Sequence, residues 1–252
     1  MAEGSGSVVR VGFGETQRRD AWWSEVLPVI IFLGGFGVYA TLRAFEGAYY
    51  EWGPYLSPFY SPLIDATHRY WPFSPALLIL AGPLGFRVTC YYYRKAYYRA
   101  FFFDPPSCAV GERSHRKYCG ETSFPFILQN IHRYFMYLAL VFLGFLWYDT
   151  IRAFRFDGHF GIGVGTLVML ANIVLLTLYF LSCHSLRHLV GGKLDCFSCT
   201  GFNRKRHGIW KGASSLNERH MLFAWLSLFS VGFADFYIRM VAAGVIRDLR
   251  IL

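Results

Sequence analysis

Apolar stretches long enough to cross a bilayer recur five times along the chain, separated by polar or Gly/Pro-rich segments. A transmembrane helix needs about 20 mainly apolar residues, because the backbone finds no water in the roughly 30 Å hydrocarbon core and must bond internally. The pattern therefore predicts an all-α integral membrane protein, a bundle of five transmembrane helices. The predicted helices cover residues 26–42, 75–93, 126–148, 162–183 and 221–246.

Composition agrees with a membrane protein. The chain is 54% hydrophobic and 19% aromatic, with a mean hydropathy of +0.31, which is too apolar for an ordinary soluble domain. Residues 1–24 are predicted to form an N-terminal tail, since they lack the basic, apolar and small-residue order of a cleavable signal. Residues 25–252 are predicted to form a single transmembrane domain.

Basic residues alternate between the two sides of the predicted bundle. Fourteen Lys and Arg lie in three segments that the topology puts on one side, namely the tail, residues 94–117 and residues 193–211. The segments on the other side carry six, namely Arg43, Arg69, Arg152, Arg155, Arg247 and Arg250. Since basic loops stay in the cytoplasm, this bias predicts a cytoplasmic N-terminus. The net charge of +9 lies in loops beside membrane helices. It therefore indicates anionic lipid headgroups or an acidic partner and not nucleic acid.

The predicted topology brings cysteines and histidines to one membrane depth on the cytoplasmic side. Thiolate and imidazole are ligands of zinc and of iron–sulfur clusters, and imidazole pairs bind haem. A single histidine at a helix end can instead be interfacial, but four histidines and two cysteines at one level favour a redox centre. The candidate ligands are Cys90, His132, Cys183, His184, His188 and His220.

Within this group, two spacings matter. His184 and His188 are four apart, so on a continuous helix they occupy one face, as two ligands of one metal would. Cys183 points about 100° away from His184, so a two-iron cluster would need its second thiolate from another helix. Cys90 is our choice for that thiolate.

The remaining cysteines carry weaker signals. Their predicted cytoplasmic location argues against disulfides, so all six cysteines are expected to be thiols or metal ligands. Cys196 and Cys199 form a CxxC pair that could bind zinc with His207, but a fourth ligand is missing, and the alternative is an exposed loop pair.

Two other polar features allow alternatives. The aromatic run of residues 89–99 is typical of an interfacial belt, or its phenols, with Arg87 and the Cys90 thiol, could bind a quinone headgroup. Asp235 and Arg239 are four apart and can form an ion pair on one helix face, with a proton path as the alternative.

The chain also contains a short, weak internal repeat. Residues 39–45 read YATLRAF and residues 148–154 read YDTIRAF. The third and fifth predicted helices both open with an asparagine followed by His132 or His220 within three residues. The repeat is consistent with an old duplication.

Motifs from the second predicted helix onward resemble a known family. They are GFRVTCYYYRKAYYR at 85–99, QNIHRYF at 129–135, SCHSLRH at 182–188 and NERHMLFAW at 217–225. This set is similar to the membrane anchor of actinobacterial succinate dehydrogenase of the type F class, respiratory complex II.

The resemblance implies partners and cofactors. A flavoprotein subunit would oxidise succinate, an iron–sulfur subunit would relay electrons, and the anchor would pass them to a membrane quinone such as menaquinone. The implied carrier is a Rieske-type [2Fe–2S] cluster with two Cys and two His ligands, and the alternative is haem b held by His pairs. The implied location is the bacterial plasma membrane, as a multi-pass protein.

On this interpretation the ligands are Cys90 and Cys183 with two of the four candidate histidines. Cys183 and His184 have no spacer, unlike the Cys-x-His order of soluble Rieske proteins. The candidate quinone contacts are Arg87, Tyr91, Tyr134 and Arg187. A rival of a different class is a membrane transporter or scaffold whose histidines carry no metal.

Overall fold

The computed structural model describes residues 12–64, 74–113, 122 and 126–252. These residues form eight α-helices and two short antiparallel hairpins. The helices are α1 (Leu27–Glu46), α2 (Ala76–Val88), α3 (Tyr91–Tyr97), α4 (His132–Arg152), α5 (Val164–Leu181), α6 (His184–Gly191), α7 (Gly201–Asn217) and α8 (His220–Ala242). The strands are β1 (Glu51–Trp52), β2 (Tyr55–Leu56), β3 (Arg155–Phe156) and β4 (His159–Phe160).

Four helices in the described part of the chain are long and apolar enough to cross a membrane. They contain α1, α4, α5 and α8, and match the first, third, fourth and fifth predicted helices to within a few residues at most ends. Their bounds as spans are Trp22–Glu46, Ile127–Arg152, Val164–Leu181 and His220–Ala242.

The second predicted helix differs from the prediction. Instead of one helix over 75–93, α2 ends at Val88 and α3 begins at Tyr91, with Cys90 in an extended conformation (φ −68°, ψ 133°) between them. The 13 residues of α2 rise about 20 Å, which is shorter than the roughly 30 Å hydrocarbon core. Five full spans are therefore not confirmed, and the sidedness of the N-terminus stays a prediction.

Glycines let α2 approach α4 closely. A Cβ added at Gly85 would lie 2.1 Å from the Phe135 ring, and one at Gly82 would lie 2.6 Å from Phe142. Small residues at helix interfaces allow this kind of contact in membrane proteins. The close approach sets the end of α2 beside the first turn of α4, where Thr89 and His132 meet.

Two amphipathic helices that the apolar pattern did not predict, α6 and α7, follow α5 and lead into α8. The side chain of Thr200 caps α7 by accepting from the backbone N–H of Asn203. They lie at the same end of the bundle as α3. At this end the segment from Gly12 onward also docks, with Gly111 N–H donating to the Glu15 carbonyl at 2.9 Å.

The opposite end of the bundle carries a buried polar network. Asp235, which is 1% exposed, accepts hydrogen bonds from the Tyr39 hydroxyl at 2.5 Å and from Ser57. The predicted Asp235–Arg239 pair is present at 3.9 Å, but the closer partner of Arg239 is Glu46 on α1. The network joins α1, α8 and the loop after β2, so its evident role is structural.

The α2–α4 contact predicts a stability effect. Gly85→Val should lower the melting temperature of the purified complex, because the added side chain would collide with Phe135, and overpacking costs about 1–3 kcal/mol. The matched control is Gly144→Val on α4, where an added Cβ meets nothing within 4 Å. Thermal unfolding in detergent measures both, and equal melting temperatures for the two variants would refute the packing argument.

Candidate metal centre

Two thiol–imidazole pairs lie side by side where α2 and α5 end and α4 and α8 begin. Cys90 Sγ is 3.3 Å from His220 Nε2, and Cys183 Sγ is 3.3 Å from His132 Nε2. Both thiols and His132 are buried, and His220 is half-buried. Four of the six predicted ligands therefore form two contacting pairs at this end of the bundle.

The two cysteines occupy equivalent places in the fold. Cys90 caps α3 with φ −68° and ψ 133°, and Cys183 caps α6 with φ −64° and ψ 132°. Each follows a hydroxyl residue, Thr89 or Ser182, at the end of a longer apolar helix. This repeated unit aims both thiols into one buried cluster that also contains Tyr179.

The hydroxyl residues determine which imidazole nitrogen faces the sulfur. Thr89 Oγ1 donates its single proton to the Gly85 carbonyl at 2.7 Å, so it can only accept in its 2.8 Å contact with His132 Nδ1. Nδ1 of His132 therefore carries the proton, and the lone pair of Nε2 points at Cys183. This is the tautomer of a metal-ligating histidine.

The second pair repeats this arrangement. Ser182 Oγ donates to the Tyr179 carbonyl at 2.8 Å and accepts from His220 Nδ1 at 2.7 Å. The lone pair of His220 Nε2 consequently points at Cys90. Aromatic rings hold both imidazoles: His132 stacks on Phe86 at 4.9 Å and His220 on Tyr179 at 5.1 Å.

Burial controls the protonation of the thiols. It raises the pKa of Cys183 to about 11 and also raises the pKa of Cys90. At neutral pH both groups are therefore thiols unless a metal replaces their protons, as ligation does. The guanidinium of Arg87 acts against the pKa shift at Cys90 by favouring the thiolate.

Arg87 is locked beside the thiols. Its guanidinium donates to the Tyr93 hydroxyl at 2.6 Å, to the Ala224 carbonyl at 3.2 Å and to Ser227 Oγ at 3.0 Å, and it lies over the Tyr179 ring at 4.7 Å. Its donors are thus directed at protein acceptors. It contributes a fixed positive charge to the centre.

The other two predicted ligands lie on the surface. His184 and His188 on α6 do share a face, with ring centroids 4.4 Å apart, but both are exposed. The ring of His184 also contacts that of Tyr91. Their spacing predicted the shared face correctly, but both histidines are exposed, whereas the thiols are buried.

The described residues offer two thiols and two imidazoles at this end of the bundle. Among the described residues, no three Cys, His, Asp or Glu side chains converge as a single metal ion would require. A Rieske-type cluster would have two thiolates on one iron and two imidazoles on the other, so Cys90 and Cys183 would hold one iron and His132 and His220 the other. The two imidazoles alone would be the ligands of a haem b, the alternative carrier.

The CxxC prediction requires a correction. Cys196 and Cys199 are joined by a disulfide, with Cα atoms 5.7 Å apart, and the ring of His207 stacks on that of Phe197 at 4.4 Å. We expected free thiols because the loop was predicted to be cytoplasmic. A separation of three residues nevertheless lets the two sulfurs approach within bonding distance. Cys119 lies outside the described residues.

The four quinone candidates lie in different surroundings. Arg187 donates to Ser214 Oγ at 2.8 Å and lies over Trp210, and Arg87 is engaged beside the thiols. Tyr91 and Tyr134 are exposed, by 42% and 72%. Of the four, the two tyrosines therefore present their side chains at the surface.

Sequence reasoning missed Thr89, Ser182 and Tyr93. A signal existed for the first two, since each cysteine ligand candidate directly follows a hydroxyl residue in an otherwise apolar segment. Tyr93 was hidden in the aromatic run, where one inward-facing phenol looks like its interfacial neighbours.

The fold and the site together define a multi-pass membrane protein with a buried cysteine–histidine centre at one end of its helix bundle. The chain belongs to the family of the actinobacterial succinate dehydrogenase subunit SdhC, whose model matches residues 24–244. This membership confirms the resemblance carried by the motifs. It makes the chain a membrane-anchor subunit of a bacterial respiratory complex in the plasma membrane, and it removes the support for a transporter.

A solved structure agrees over the whole chain. A chain of the Mycobacterium smegmatis Sdh1 complex in the apo form is 45% identical, with a TM-score of 0.85 and coverage of 100% of both chains. No curated protein matches the chain significantly.

Proposed function

We propose that this subunit passes electrons from an iron–sulfur subunit to a membrane quinone, with a Rieske-type [2Fe–2S] cluster held by Cys90, Cys183, His132 and His220. The observation that carries the proposal is the pair of reciprocal thiol–imidazole contacts. The partners are the flavoprotein and iron–sulfur subunits of succinate dehydrogenase, with quinone and membrane lipid around the anchor.

The chemistry of the ligands supports a cluster in this role. When bound, such a cluster supplies a one-electron carrier whose imidazole ligands give it a higher potential than four thiolates would. The surrounding residues exclude water and fix both rings through Thr89 and Ser182. Buried, hydrogen-bonded ligands of this kind move little when their charge changes, which favours rapid electron transfer.

Arg87 and Arg187, the two arginines among the quinone candidates, have indirect roles in this electron transfer. Arg87 positions the centre by placing a positive charge beside Cys90, and Arg187 orients α6 through Ser214. The exposed phenols of Tyr91 and Tyr134 are where a quinone would approach from the lipid. Tyr91 directly follows Cys90, so we place the quinone headgroup on its side of the centre.

Single histidine variants test the ligand set. His132→Ala and His220→Ala should each abolish a low-average-g [2Fe–2S] signal in the EPR spectrum of the reduced complex and lower its iron content by about two atoms, because a two-iron cluster with two imidazoles loses one ligand. The matched control is the His184→Ala, His188→Ala double variant, which should retain both. If the double variant lost the signal and the single variants kept it, the ligands would be His184 and His188 on α6. A haem Soret band with no such EPR signal would refute the cluster.

A hydroxyl variant tests the positioning role. Thr89→Val keeps the side-chain shape but removes the acceptor for His132 Nδ1–H, so the ring donates less electron density and the midpoint potential of the cluster should rise. Thr89→Ser restores an acceptor and should return the potential towards the wild-type value. A redox titration followed by EPR measures this, and identical potentials for all three proteins would contradict the assignment.

Quinone contact can be separated from cluster assembly. Tyr91→Phe removes a hydrogen-bond donor and should raise the KM for quinone several-fold, a loss of about 1 kcal/mol, without changing the EPR signal. Tyr134→Phe is the companion variant on α4. Steady-state succinate:quinone assays over a quinone series are the measurement, and a lost EPR signal or an unchanged KM in Tyr91→Phe would count against this placement.

A further inference from the structure

A cleft of about 810 Å³ opens at the end of the bundle opposite the metal centre. It lies between the two β-hairpins and the last turn of α4. Its basic lining is Arg152, Arg155 and Arg250, and its aromatic lining includes Tyr148 and Phe156. These residues are separate from the centre and from its proposed quinone site.

The cleft has an excess of positive charge. Among the described residues that line it, Asp157 is the one acidic group. Its carboxylate is 3.7 Å from the Arg250 guanidinium, but the aspartate side chain is 95% exposed, so solvent screens the pair. Three arginines against one screened carboxylate leave a site suited to an anion.

Aromatic rings fix two of the guanidinium groups. Arg250 lies 4.2 Å above the Phe156 ring, and Arg152 lies 5.9 Å from the Tyr148 ring centre. Phe156 is itself buried. Stacking on a ring restrains an arginine while leaving its N–H donors able to turn towards a ligand.

The depth of the cleft indicates what kind of anion it takes. Arg152 is the last residue of α4, and the preceding turn exposes Tyr148 and Ile151 by 60% and 62% on the outside of a membrane-spanning helix. Exposed apolar groups directly below arginines are the surroundings of a lipid, whose acyl chains lie beside the helix and whose headgroup lies at its end. A free phosphate ion would use only the arginines.

We propose that the cleft binds the headgroup of an anionic phospholipid. The phosphate accepts from the guanidinium groups of Arg152, Arg155 and Arg250, since the planar fork of arginine matches phosphate oxygens. The acyl chains lie along Tyr148 and Ile151. The site thereby ties both hairpins and the C-terminal segment to the membrane surface.

Native mass spectrometry of the whole complex tests the proposal. Wild-type complex, delipidated and exposed to equal amounts of phosphatidylglycerol and phosphatidylcholine, should retain phosphatidylglycerol at least tenfold better. The triple variant Arg152→Gln, Arg155→Gln, Arg250→Gln should lose that preference. Arg155→Gln alone, at an exposed position, should weaken retention at least threefold.

The control is Arg247→Gln, which removes the same charge three residues from Arg250 and outside the cleft lining. It should retain phosphatidylglycerol as the wild type does. Equal retention of the two lipids by the wild type, or unchanged retention in both the triple and the single variant, would overturn the proposal. Displacement of the lipid by millimolar inorganic phosphate would also overturn it, because it would identify a free-phosphate site.

Discussion

Two hydroxyl–imidazole hydrogen bonds constrain the geometry around which this protein is organised. Thr89 and Ser182 each donate a hydrogen bond to a carbonyl of their own helix. Each accepts a hydrogen bond from a histidine of a neighbouring helix. Each bond fixes a ring, a tautomer and the place where an apolar helix stops. The extended backbone of Cys90 and Cys183 follows, and the thiols turn inward because the chain changes direction there.

Most of the membrane helices could be predicted from apolar length, and the reason the second one could not is physical. Hydropathy averages over a window, whereas the break after Val88 is set by a side-chain hydrogen bond and one residue's dihedral angles. The polar connection between α5 and α8 forms the amphipathic helices α6 and α7, whose stability comes from packing on neighbours. A search for continuous apolar stretches does not detect such helices.

The sequence predicts which residue types lie at this end of the bundle, but not which of them contact one another. Topology brings the cysteines and histidines to one level, whereas distinguishing the buried His132 from the exposed His184 requires knowing which face of a helix is buried. In a membrane protein that choice is hard to read, since lipid-facing and core-facing residues are equally apolar. The pairing of Cys90 with His220, 130 positions away in the chain, depends on the docking of helices far apart in sequence.

The contacts at the centre cross between two segments of the chain, residues 89–132 and residues 182–220. Thr89 and His132 belong to the first segment and Ser182 and His220 to the second, but each thiol meets the imidazole of the other segment. Each segment thus fixes its own histidine, and its cysteine contacts the histidine of the other segment. During membrane insertion, Cys90 has no imidazole opposite it until α8 arrives, so the centre can be completed only when the last transmembrane helix is in place.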